Sequence, residues 1–102
     1  MTENINNSIL YLRGEGLVGN RVHVDVQLAE NHSKPNLVLT LTDPNGKEVC
    51  RSMILGTIDK QVEFTLHIRV SDPEMPLTLT CESYLEDDNP IDTKSIEILN
   101  LP

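Results

Sequence analysis

The 102-residue sequence predicts an all-β fold, an antiparallel two-sheet sandwich of about seven strands. Short runs of period-2 alternation between apolar and polar residues recur from residue 9 to the end. Turn-forming clusters separate them at intervals of roughly ten residues. No window carries sustained helical spacing. The alternation gives each sheet one buried and one solvated face, as in antiparallel rather than parallel sheets.

The first strand is predicted over residues 9–12 and ends at Gly14-Glu15-Gly16. The second covers residues 21–28, with Val22, Val24, Val26 and Leu28 facing in and His23, Asp25 and Gln27 facing out. The third and fourth form the clearest element of the chain, a hairpin from Asn36 to Ile54. Leu37, Leu39 and Leu41 alternate with Val38, Thr40 and Thr42 before Asp43-Pro44-Asn45-Gly46 interrupts. Proline presets φ at the second turn position, the Asp43 side chain accepts from the backbone ahead, and Gly46 takes a positive φ. The fifth strand buries Val62, Phe64, Leu66, Ile68 and Val70. The sixth covers residues 77–85 and the seventh residues 95–99. Residues 1–8 precede this pattern as a flexible segment, and residues 9–102 form one domain of ordinary size.

Strand number and spacing resemble the immunoglobulin-like and fibronectin type III-like β-sandwiches over residues 9–101. The resemblance is architectural. There is no tryptophan for the cysteine–tryptophan–cysteine framework of antibody domains, and Leu79 stands where a tyrosine corner would place its tyrosine before Cys81. No functional residue is carried across. What the resemblance implies is an adhesion, interaction or spacer module.

Cys50 and Cys81 are expected to stay free. Pairing Asp43 with Lys47 places Leu41 opposite Val49 and Thr40 opposite Cys50, which turns Cys50 outward and leaves Cys81 inward. In a sandwich order the third strand separates them by two strand spacings, beyond the roughly 7 Å reach of a disulfide. Free thiols fit a reducing compartment. With no apolar span and no signal peptide in residues 1–8, the chain reads as cytoplasmic, without a membrane.

Composition excludes several functions. Sixteen acidic against eight basic residues leave a net charge of −8, which repels nucleic acid. Tyr11, Phe64 and Tyr84 are the only aromatics, too few for stacking platforms. No nucleophile elbow, phosphate-cradling glycine loop, His-Glu-x-x-His or Cys-x-x-Cys occurs, so an enzyme is not expected. His23 and His67 face out on the second and fifth strands, which are neighbours in such a sandwich. That places His67 near Asp25 or His23, depending on register, where a polar cross-strand pair is expected and a metal pair or an Asp–His dyad is the alternative. His32 is an ordinary loop residue.

Two surfaces remain as candidates for a protein partner or a second copy of the chain. One is the fourth strand as a free edge, presenting Cys50, Ser52 and Ile54. The other is the acidic loop Glu86, Asp87, Asp88 and Asp92, which would meet a basic partner or hold Ca2+ by its carboxylates, with Glu30 and Asp59 nearby. The leading expectation is a non-catalytic protein-interaction or assembly module. The alternative is a calcium-dependent binding or adhesion domain.

Overall fold

The computed structural model describes residues 5–85 and 89–102. Seven strands run in chain order, β1 Ile9–Leu17, β2 Arg21–Leu28, β3 Asn36–Thr42, β4 Glu48–Ile54, β5 Gln61–His67, β6 Leu77–Tyr84 and β7 Asp92–Ile98. They form two antiparallel sheets, ordered β1-β2-β5 and β4-β3-β6-β7. The protein is a β-sandwich of the kind its strand spacing predicts. β4 lies beside β3, on the sheet that also holds β6 and β7, whereas the constant-type immunoglobulin order places the fourth strand on the opposite sheet.

The core is aliphatic because the sequence offers almost nothing else. Leu37, Leu39, Leu41, Leu77, Leu79 and Cys81 of the larger sheet are all fully buried, as are Val22, Val24 and Val26 of the smaller. Each alternate residue of β2 and β6 points in, so the period-2 pattern becomes one continuous cluster between the sheets.

The hairpin turn forms as its residues require. The Asp43 side chain accepts from the amides of Asn45 and Lys47, each at 2.9 Å. The Gly46 amide donates to the Asp43 carbonyl at 3.0 Å, with Gly46 at φ 82°. Asp43 and Lys47 pair as expected, the Asp43 amide donating to the Lys47 carbonyl at 2.8 Å.

Beyond the turn the structure departs from the regular ladder. Thr42 pairs with Glu48, but Leu41 pairs with Cys50 and Thr40 with Arg51. Val49 is the extra residue of a β-bulge, and from that point the facing of β4 is reversed. Cys50, Ser52 and Ile54, expected outward, turn toward the interior and are half-buried, while Arg51 and Met53 are exposed. A regular strand would bury Val49, Arg51 and Met53 together. The bulge buries Val49 and still leaves the guanidinium in water, which avoids the cost of an unpaired buried charge.

The first strand is also longer than predicted. Gly14-Glu15-Gly16 does not break it, and the turn comes later, at Val18 to Asn20, with Gly19 at φ 88° and Asn20 at φ 54°. The two glycines serve a close approach between sheets. A Cβ on Gly14 would lie 2.6 Å from Ile98 Cδ1, and one on Gly16 would run into the Asn100 carbonyl oxygen. The sandwich is therefore shut along β1 and the β7 end.

Ahead of β1, Asn7 bridges the 29–35 loop and β6. Asn7 Nδ2 donates to Ser33 Oγ at 2.9 Å, the Ser33 amide donates to Asn7 Oδ1 at 2.8 Å, and the buried Ser83 hydroxyl donates to the Asn7 carbonyl at 3.2 Å.

Candidate functional site

At one end of the sandwich three segments meet, residues 29–35, residues 55–60 and Leu85 with residues 89–91. Asn36 joins two of them, donating to the Leu85 carbonyl at 3.3 Å while its Oδ1 accepts from the Gly56 amide at 2.8 Å. His32 joins loops 29–35 and 55–60. Its Nδ1 accepts from the Lys34 amide, so Nε2 carries the proton and donates to the Asp59 carbonyl at 3.1 Å.

This is the end to which the calcium reading belongs, and two of its described carboxylates, Asp92 and Glu30, already have partners. Asp92 Oδ2 accepts from the Ile9 amide at 2.7 Å, fixing the start of β1 against β7. Glu30 accepts from Lys60 Nζ at 2.8 Å, and that bond holds the Glu30 carboxyl below its usual range. Glu86, Asp87 and Asp88 lie outside the described residues. Among the described residues no three His, Cys, Asp or Glu side chains gather as a metal group. The same end exposes Leu55, Ile58, Leu85 and Ile91, apolar residues that the alternation argument passed over because they fall in loops.

On the outer face of the smaller sheet, β2 and β5 pair as predicted, and their register separates the polar groups. His67 lies opposite Arg21, and Asp25 lies opposite Glu63. His23 Nε2 is 3.4 Å from Glu63 Oε1, while Gln61 Nε2 donates to Asp25 Oδ1 at 3.2 Å. Asp25 and His67 therefore do not form a dyad. The face is a set of exposed cross-strand polar pairs.

The long side opposite the β1–β7 closure is different. β4 and β5 are the outer strands of their sheets there, and among the described residues neither has a strand beyond it. Between them runs a shallow cleft of about 270 Å³, lined by Cys50, Arg51, Ser52, Thr65, His67 and Arg69 among others. The bulge creates this lining by turning Cys50 and Ser52 toward β5. Burial pushes the Cys50 thiol up, with lesser contributions downward from Arg69, upward from Glu48 and downward from the His67 backbone.

Cys81 sits on the far side of β3, opposite Leu39 and Lys94. Both cysteines are free, with β3 between them. Burial, with lesser contributions from Asp92 and Glu82, pushes the Cys81 thiol up to about 12. Because its folded pKa lies above the unfolded value, the thiol is neutral in both states below about pH 8.5. As pH climbs from there toward 12, ionisation favours the unfolded chain, so stability falls across that window. A thiol-labelling reagent at neutral pH is expected to modify Cys50 first, with Cys81 reacting only when denaturant is added. Equal labelling of both thiols in the native protein would contradict the burial of Cys81.

No helix among the described residues is long and apolar enough to cross a membrane. No protein-family model and no curated protein matches the chain. Solved structures do match its fold. A glycosyl hydrolase family 2 member from Bacteroides cellulosilyticus DSM 14838 is 17% identical with a TM-score of 0.60, covering 91% of this chain and 15% of that chain. The β-glucuronidase of Lactobacillus rhamnosus is 20% identical with a TM-score of 0.57, over the same shares of the two chains. That of Ruminococcus gnavus is 12% identical with a TM-score of 0.55. At these identities the likeness is one of fold, and this chain spans about 15% of the length of those enzymes.

Proposed function

We propose that the protein is a non-catalytic protein-interaction or assembly module that docks its partner along the free edge of β4. The observation that carries this reading is the asymmetry of the sandwich. One long side is shut where Gly14 and Gly16 let β1 approach Ile98 and Asn100. The other leaves β4 with a hydrogen-bonded neighbour on its β3 side alone. An extended segment can satisfy that unpaired row of N–H and C=O groups by strand addition. The bulge at Val49 confines regular pairing to the Arg51 to Ile54 half of the strand. The likeness to a small part of much longer enzymes fits a module that works beside other domains or chains. Two free thiols fit a cytoplasmic setting.

Selection of binders from a random library of seven-residue peptides tests the reading. Peptides that compete for one site, and lose it when Met53→Pro removes an edge amide, are the expected result. Peptides that all bind the loop end, or a selection that yields none, would overturn it. The calcium-dependent alternative draws on Asp92 together with Glu86, Asp87 and Asp88. A thermal melt with and without millimolar calcium separates the two, and an unchanged midpoint is expected, since Asp92 is already occupied by the Ile9 amide.

A further inference from the structure

The geometry points to an acidic extended segment as the partner that the β4 edge takes, read by Arg51, Arg69 and His67. This rests on β4 as the docking edge and adds the chemistry of what docks there. In a chain with twice as many acids as bases, the cleft beside β4 is lined by two arginines and a histidine and by no carboxylate. Arg51 meets Glu48 through Nε alone, at 2.8 Å. Arg69 and the His67 side chain have no hydrogen bond or ion pair among the described residues. The local sign is therefore opposite to that of the whole molecule, and it lies along the unpaired edge.

A strand added to β4 alternates its side chains between two positions. One set projects on the outer face beside Arg51 and Met53, both exposed. The other set turns toward the cleft, which His67 and Arg69 line from the β5 side. Both sets meet a cation, so carboxylates are favoured on either face, and the planar guanidinium forks suit carboxylate geometry. A basic strand would face the like charge of Arg51 and Arg69 on the Arg51 to Ile54 half of the edge, with the acids Glu48, Asp72 and Glu74 lying toward the hairpin-turn end.

Fluorescence anisotropy with labelled Val-Glu-Thr-Glu-Val-Glu-Thr and Val-Lys-Thr-Lys-Val-Lys-Thr peptides tests this on the full chain. The acidic peptide is expected to bind at least about tenfold more tightly than the basic one at about 50 mM salt, with the gap narrowing at about 300 mM. Arg51→Glu with Arg69→Glu should weaken the acidic peptide by about tenfold or more. Arg13→Glu with Lys34→Glu, equal in charge but away from the cleft, should change it little. Alternate N-methylation of the acidic peptide should abolish binding, since strand addition needs its amides. Acidic, basic and uncharged peptides binding β4 equally would overturn the charge assignment while leaving β4 as the docking edge. Unchanged affinity of the N-methylated peptide, or equal loss in both double variants, would also overturn it. A dimer seen by light scattering that the acidic peptide fails to dissociate would assign the edge to a second copy instead. No peptide binding at β4 would remove both the inference and the reading beneath it.

Discussion

Gly16→Ala lowers the stability of the domain by about 2–3 kcal/mol, at the upper end of what overpacking usually costs. The added methyl has nowhere to go, because it meets the backbone carbonyl of Asn100 rather than the tip of a movable side chain. For a domain of this size the melting midpoint should fall by roughly 10–20 °C. Gly14→Ala should cost less, about 1–2 kcal/mol, since its methyl meets the side-chain ends of Ile98 and Leu79. Gly46→Ala is the contrasting case. It meets no atom within 4 Å, and its cost, about 1 kcal/mol, comes from holding alanine at a positive φ of 82°. Thermal melts of the three variants check the order. If Gly16→Ala costs no more than Gly46→Ala, the sandwich is not shut along β1.

Leu39→Ala has the second large effect, a loss of about 2–5 kcal/mol. Leu39 lies in β3, paired with Ser52 on one side and Cys81 on the other, and is fully buried between the sheets. Its removal leaves a void that the flanking strands cannot close without breaking their ladders. Met53→Ala, one strand away, should change stability by no more than about 0.5 kcal/mol, because Met53 is 57% exposed. Chemical denaturation of both variants tests the facing of β4 as well as the core. A large loss at Met53 with a small one at Cys50→Ala would restore the unbulged ladder.

These two results bear on how far the fold can be read from its residues. β2 is legible throughout, because four branched apolar residues alternate with polar ones and no competing pattern exists. The Asp43 to Lys47 turn is legible because each of its residues has one conformational role. β4 is not, since Val49 to Ile54 carries apolar residues at both parities. Only the cost of burying Arg51 chooses between them, and that choice needs the partner strands in place. Gly14 and Gly16 mislead for a related reason. A glycine read locally signals a turn, whereas these two are set by Ile98 and Asn100, over eighty residues further along the chain.

The candidate site shows the same limits. The edge position of β4 follows from strand count and order, so it was legible. Its chemistry was not, because Cys50, Ser52 and Ile54 were expected on the exposed face and instead look toward β5. Arg51, His67 and Arg69, which line the cleft, come from two strands and a following loop, a juxtaposition that no single stretch of sequence displays. Asp92 is a comparable case at the loop end. As one of a run of acids it suggests a cation ligand, yet it accepts the amide of Ile9, which is set by the meeting of β1 and β7.

The central claim is that β4 is the docking edge of the sandwich, and amide shift mapping with the acidic seven-residue peptide tests it most directly. Shifts confined to Arg51 to Ile54 and the facing residues Thr65 to Arg69, with β1 and β7 unmoved, are the predicted result. Shifts centred on Leu55, Ile58, Leu85 and Ile91, or on β7, would contradict it.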